Sequence, residues 1–429
     1  MSTPPEEVTA RVPWMQREIA RIFGYTVKSD CPFEWKVRTP RLFADPAYGT
    51  TAFHIRDLLI AHALGYALIP SGGAAGGSSD GYAQSVWSGG PLGRWPLAYP
   101  GRGTLASAVL TSVLDCAKFV RLVPTGSLGV YCEEFEVKGQ WVYALWTTRG
   151  EADVALDLGD NADYETVSIT GSRVKGVKDR TLVVSDEPRY LICGKPVKGA
   201  DASLQRRYPR EEIAFARQAV AVPLASADEV TVSDYCDRRF FREDNPFRRM
   251  GPFAAAAADD PLKGACVELK DLSGTEKTLK PVENATLLKF PRAERVAGEY
   301  DTLGVWVEGN MGGGKVWFEF EDAEGEVWAT TGSGGYGCNT YDWPGLMSVN
   351  FDGWHLLKFP LTHASPVKNP SPGSGAWQIT RDGNGNGRID FPVKVTGMAL
   401  SNRPWNLDFL DMRPTRPYLR LKDVTLLAK

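Results

Sequence analysis

The run Asp382-Gly383-Asn384-Gly385-Asn386-Gly387-Arg388-Ile389-Asp390 places side-chain oxygens at its first, third, fifth and ninth positions. With Gly sixth and Ile eighth, this is the spacing by which a calcium loop wraps a hard cation in oxygen. A structural Ca2+ held by Asp382, Asn384, Asn386 and Asp390 is therefore one expectation. The twelfth position, where a bidentate Glu closes such loops, is Val393. A tight Asn/Gly hairpin is the other reading of the same residues.

A second set of residues offers flat rings on irregular backbone. Tyr82, Trp87, Trp95 and Tyr99 fall in a Gly/Ser-rich stretch between Pro70 and Pro100. Tyr336, Tyr341 and Trp343 fall in the glycine-rich run 332–345 beside Asn339 and Asp342, and Trp377 and Trp405 read as loop residues in stretches flanked by Gly or Pro. Rings so placed stack on the apolar faces of pyranoses at little entropic cost, and a loop as long as 70–100 is usually functional or disordered. The competing reading is that the rings pin loops to a core. Trp306, Trp317 and Trp328 lie within alternating strands, and two or more of these three are expected in the core.

Positioning such groups takes more than one domain, because 429 residues exceed what a single core supports. A formal net charge of -3, from 49 basic and 52 acidic residues, gives no pull towards nucleic acid or anionic lipid. Neither a nucleic-acid nor a membrane partner is expected, and no apolar run reaches the roughly 18 residues that span a bilayer. Seven scattered Cys without a C-x-x-C pair argue against a disulfide framework. Four His argue against a His-rich metal centre, no zincin or P-loop motif occurs, and no dinucleotide-binding fingerprint falls at a strand–helix junction. The N-terminal MSTPPEEVTARVPW lacks the basic start and apolar core of an export signal. Localisation is left open, with a secreted or periplasmic protein expected where the gene extends upstream of Met1.

Residues 14–24 read as a helix closed by Gly24, 25–29 as a strand, 50–64 as a helix closed by Gly65, 66–69 as an apolar strand and 104–119 as a helix. That alternation is the rhythm of a parallel α/β fold. From Val120 the period becomes two: segments 128–137, 140–148, 152–158, 165–170, 181–185 and 189–193 predict a small antiparallel sandwich. Residues 197–227 carry few strand signals and read as a linker. Ten β-prone segments between 228 and 429 suffice for a two-sheet jelly roll.

The stretches FHIRDLLIAHALG (53–65), YAQSVWSGG (82–90) and TLASAVLTSVLD (104–115) resemble the end of (β/α)8-barrel glycoside hydrolases of a retaining clan. The stretches KFVRLVPTGSLGVYCEEFE (118–136), WVYALWTTRG (141–150) and EPRYLIC (187–193) resemble the small β-sandwich behind such barrels, and 228–429 resembles an appended carbohydrate-binding module. The resemblance implies a partial barrel over 1–119, a sandwich over 120–196, a linker over 197–227 and a β-jelly roll over 228–429. It implies hydrolysis or binding of a plant or microbial polysaccharide or oligosaccharide, with no cofactor required for catalysis.

In that clan two carboxylates act, and the resemblance puts Asp30 at the nucleophile position after strand seven. The clan normally has Glu there, so Glu34 is the substitute. Trp87 falls where strand eight commonly presents a Trp to the sugar. Retaining chemistry needs its carboxyls about 5–5.5 Å apart, and Arg56 can clamp Asp30 and depress its pKa. Tyr82, Trp95 and Arg56 join Trp87 as expected substrate contacts. The competing readings make Asp30 a turn cap, Glu34 a solvated loop charge, Arg56 and Asp57 ordinary surface residues and His54 a helix-face residue. A whole barrel needs about 250 residues, and residues 1–119 hold no counterpart of the strand-four acid/base. An incomplete barrel exposes strand edges, so that edge is expected to be covered either by a second copy, making a homo-oligomer, or by the sandwich. Two further classes stand beside the hydrolase: a non-catalytic carbohydrate-binding protein on a degenerate scaffold, and a structural assembly pairing half-barrels.

Overall fold

The computed structural model describes residues 46–65, 102–148, 150–161, 163–176, 181–202, 206–207, 215–234, 253–271, 285–311, 316–330, 349, 351–361, 377–381, 385–401, 416 and 418–428, with Glu6, Ala20 and Gly24. The chain divides into two compact units, one holding most of 2–210 and the other 211–429.

In the first unit, helix α1 (Pro46–Ala63) and helix α2 (Arg102–Val113) bury Ile55, Leu59 and Ile60, and Ala106, Leu110 and Val113. These positions recur at helical spacing, so each helix presents one apolar stripe. Helix α1 stops where the sequence puts Gly65, at φ +74, its N–H donating to the His62 carbonyl. Glycine tolerates that left-handed conformation.

Strands β1 (Lys118–Leu122), β2 (Val130–Val137), β3 (Gln140–Thr147), β4 (Glu151–Asp157), β5 (Tyr164–Val167), β6 (Arg173–Lys175), β7 (Thr181–Val184), β8 (Arg189–Cys193), β9 (Gly199–Asp201) and β10 (Arg206–Arg207) follow. They form a sheet in the order β1-β2-β3-β8-β5-β6 and a smaller one, β10-β4-β7, with β9 on β4. Strand β3 explains the layering. Val142, Ala144 and Trp146 face the helices, whereas Tyr143 and Leu145 face the second sheet with Val154, Leu156, Leu182 and Val184. A strand buried on both faces reads as the continuous apolar run WVYALW, since both alternate sets must leave water.

Polar groups also lie in the helix-facing layer. Arg56, 1% exposed, brings Nε to 2.7 Å from Oε1 of buried Glu6, a contact too bent for a hydrogen bond, while Nη2 donates to Oε2 at 3.0 Å. Nη1 donates to the Asp186 carbonyl at 3.2 Å, and Trp146 donates its indole N–H to Glu6 Oε1 at 2.7 Å. Trp146 in turn stacks on Tyr131, ring centroids 5.0 Å apart.

Glu133 is fully buried, and its Oε2 has no hydrogen-bond partner among the described residues. Burial, and secondarily the negative charge of Glu6, raises its pKa well above the carboxylate range. The folded carboxyl stays protonated while the unfolded chain ionises above about pH 4.3. The stability it contributes is therefore present below that pH and is lost as pH rises, at about 1.4 kcal/mol per pH unit, until the folded carboxyl itself ionises. Glu133→Gln is expected to remove this loss, so that its advantage in urea midpoint grows from pH 5 to pH 8. Parallel curves for variant and parent would contradict the assignment.

The second unit is a two-sheet sandwich. Its strands are β11 (Arg217–Val222), β12 (Thr231–Asp234), β13 (Phe253–Asp260), β14 (Gly264–Asp271), β15 (Ala285–Lys289), β16 (Thr302–Asn310), β17 (Val316–Glu321), β18 (Val327–Thr330), β19 (Asp352–Pro360), β20 (Trp377–Arg381), β21 (Lys394–Ser401) and β22 (Tyr418–Ala428). One sheet runs β13-β14-β22-β16-β19, with β11 beside the second half of β22, and the other runs β12-β15-β21-β17-β18-β20. Successive strands repeatedly change sheet, the habit of a jelly roll. Phe318 of one sheet meets Phe359 of the other edge to face at 4.8 Å. Trp328 is wholly buried, its indole N–H reaching Asp322 Oδ2 at 2.9 Å, whereas Trp306, also named among the expected core tryptophans, is half-buried.

The linker expectation is corrected, and the partial barrel is not shown among the described residues. Among the described residues of 1–119 there are two helices leading into β1, every strand ladder of the described residues is antiparallel, and the sheet these helices pack on is one of these. Local periodicity fixed the helices, but the surface they pack on is an antiparallel sheet assembled from 118–193. The segments 25–29 and 66–69 lie outside the described residues. Residues 197–227 are also more than a linker: β9 and β10 pair with β4, and β11 pairs with β22. Strands of two, three and six residues leave too short a pattern to read.

Candidate functional site

Alternation along four neighbouring strands builds one polar and aromatic face in the second unit. In β16, Leu303, Val305 and Val307 enter the core, so Trp306 and Glu308 take the opposite face. In β22, Leu419 and Leu421 are buried, leaving Tyr418, Arg420 and Lys422 beside them. The register then aligns Glu268 of β14, Arg420, Glu308 and Trp354 of β19 as one rung across four strands.

Arg420 is the hub. Its Nε donates to Glu268 Oε2 at 3.1 Å, and Nη1 donates to Asp260 Oδ2 at 3.2 Å and Glu308 Oε2 at 3.3 Å. Its guanidinium carbon stands 4.8 Å from the centroid of the Tyr418 ring. Arg416 extends the network, donating Nη1 to Glu308 Oε1 at 2.7 Å and Nη2 to the Gly309 carbonyl at 3.3 Å, with Asp352 at 3.6 Å. Such planar guanidinium forks hold carboxylates in fixed orientations, which a lysine cannot do.

The turn between β13 and β14 closes one end of this face. Asp260 Oδ1 accepts the N–H groups of Leu262 and Lys263 at 2.8 and 3.0 Å, and Gly264 takes φ +69. The Lys263 ammonium is thereby placed 3.3 Å from the centroid of half-buried Trp306. Burial pushes the Asp260 carboxyl up, but the two backbone N–H groups, Trp354 and Arg420 outweigh it and hold the group below its ordinary value. The Trp354 indole N–H lies near that carboxylate, outside hydrogen-bond geometry. A carboxylate so stabilised accepts hydrogen bonds and is a poor proton donor.

Of the residues singled out in the sequence, Asp30, Glu34, Tyr82, Trp87, Trp95, Tyr336, Tyr341, Trp343, Trp405, Asp382 and Asn384 lie outside the described residues. Arg56 is in the core of the first unit with Glu6, not on an open surface. Trp377, read as a loop residue, opens β20 and pairs with Thr330. Asn386 Nδ2 donates to Asp390 Oδ2 at 2.9 Å, and Asn386 Oδ1 accepts the Arg388 N–H at 2.8 Å. Glu324 and Glu326, from the turn between β17 and β18, accept the N–H groups of Asn386 and Gly387. Val393, at the twelfth position, is buried and bridges to Val296. Among the described residues no three His, Cys, Asp or Glu side chains converge as metal ligands do.

The sequence reading missed Trp306, Trp354, Tyr418, Arg416, Arg420, Asp260, Glu268 and Glu308 as a group. The signal was present in L-G-V-W-V-E-G-N (303–310) and Y-L-R-L-K (418–422), where every second residue is apolar. Only the register shows that their polar faces adjoin.

No family model and no curated protein matches the chain. Solved structures overlap it weakly. A family 11 carbohydrate-binding module of the cellulase Lic26A-Cel5E of Clostridium thermocellum is 8% identical over 50% of this chain and 97% of its own, with a TM-score of 0.27. Tailspike protein 4 of bacteriophage CBA120 is 9% identical over 48% and 21%, at 0.23. An isomalto-dextranase of Arthrobacter globiformis T6 is 9% identical over 70% and 36%, at 0.18. Overlaps at these scores define no shared fold, and the functional reading rests on the chain's own residues.

Proposed function

We propose that the chain is a carbohydrate-active protein whose second unit binds a polysaccharide or oligosaccharide across the face of β14, β22, β16 and β19. The observation that carries this reading is the placing of Trp306, Trp354 and Tyr418 on one sheet face around the Arg420 network. A sugar ring has apolar C–H faces and a rim of hydroxyls, so it needs flat rings and fixed polar partners together. Here both are held by strands, which spares the ligand the cost of ordering loops. With Asp260 held as an acceptor, the chemistry proposed at this face is binding rather than bond cleavage.

Affinity electrophoresis of the full chain against a panel of neutral and acidic polysaccharides tests the reading. Trp306→Ala is expected to weaken binding at least about tenfold, as loss of a central ring does in interfaces, with the circular dichroism spectrum unchanged. Retardation unaffected by both Trp306→Ala and Trp354→Ala would move the site off this face.

A further inference from the structure

Asp260, Glu268, Glu308 and Asp352 are all engaged by Arg416 and Arg420. Lys263 and Lys422 reach the surroundings of Trp306 from the β14 and β22 side: the first stands over its ring, and the second is its register partner on β22. Neither lysine holds a salt bridge to a described residue, and Lys422 Nζ donates to the Ala265 carbonyl at 2.6 Å. Asp260 and Asp423 act on Lys263 at longer range only, and burial leaves its ammonium harder to protonate than usual.

We propose that the surroundings of Trp306 form a subsite for an acidic sugar, whose anionic substituent is received by Lys263 and Lys422 beside the indole. This rests on the glycan-binding reading above and names the ligand class of that same site. An ammonium stacked on an indole has given up part of its hydration. An anion arriving there gains a charge-assisted hydrogen bond in a setting where water competes poorly. The shared chemistry is a single negative substituent, either a uronic carboxylate or a sulfate ester.

The test uses the full chain and matched pairs of glycans: polygalacturonate against its methyl ester, and a sulfated galactan against the same polymer desulfated. At low salt the charged member of at least one pair is expected to bind about tenfold tighter than its neutral mate, and the pair that responds identifies the substituent. Lys263→Gln and Lys422→Gln together are expected to erase that preference while Trp306→Ala weakens both members. Equal binding of charged and neutral members, or a preference that survives the double lysine variant, overturns the proposal. If neutral glycans bind and Trp306→Ala abolishes their binding, the glycan-binding reading stands while the acidic subsite falls. Indifference of all four polymers to Trp306→Ala would remove both.

Discussion

Arg56→Ala is expected to destabilise the first unit by about 3–5 kcal/mol, the usual loss when one member of a buried ion pair is deleted. Its guanidinium is 1% exposed and answers both oxygens of Glu6 and the Asp186 carbonyl. Without it, the Glu6 carboxylate is left in the core with only the Trp146 indole N–H from this group of donors. Glu6→Gln with Arg56→Met should recover part of the loss, because replacing both charges by matched neutral groups removes the uncompensated one. Urea unfolding of the single and double variants, followed through tryptophan fluorescence, measures the difference. A cost below about 1 kcal/mol for Arg56→Ala, the level of an exposed pair, would contradict the burial of this pair.

Arg420→Ala should produce the largest effect in the second unit. Three carboxylates, from Asp260, Glu268 and Glu308, share that one guanidinium. Its loss leaves Asp260 and Glu268 without their cation and Glu308 with Arg416 alone among the partners described above. Glycan affinity is expected to fall about 30-fold or more, the scale of a hot-spot arginine. Stability should fall by about 2–4 kcal/mol as the carboxylates are left to repel one another. Arg420→Lys should not restore binding, since an ammonium cannot bond three carboxylates in the geometry of a planar fork. Calorimetry with the best glycan of the panel, set beside urea midpoints, separates the two effects. Unchanged affinity in Arg420→Ala would remove the network from the binding face.

How much of this was legible beforehand depends on the range over which each feature is decided. The helix ending at Gly65, the burial of Trp328 and the antiparallel strands after Val120 follow from residues within a few positions of one another. Glycine permits the φ of +74 that ends α1, and the continuous apolar run WVYALW suits a strand covered on both faces. The half-barrel was inferred from how such helices are used elsewhere. What an apolar helix face packs against is set by segments more than sixty residues away, as Ile55 and Tyr131 in one core layer illustrate.

The candidate site divides in the same way. The sequence by itself determined the multidomain organisation, the β-rich character of 228–429, the absence of electrostatic drive towards nucleic acid, and the supply of tryptophans that a sugar-binding surface requires. It also determined which side of each strand is polar, because alternation is written in successive residues. The tertiary structure decided which polar sides adjoin. Glu268, Glu308 and Arg420 are separated by 40 and 112 positions in the chain, and only the pairing of β14, β22 and β16 brings their charges within 3.1–3.3 Å. Strand register is a property of the whole sandwich, settled by the burial of both inner faces at once, and no local pattern in the sequence encodes it.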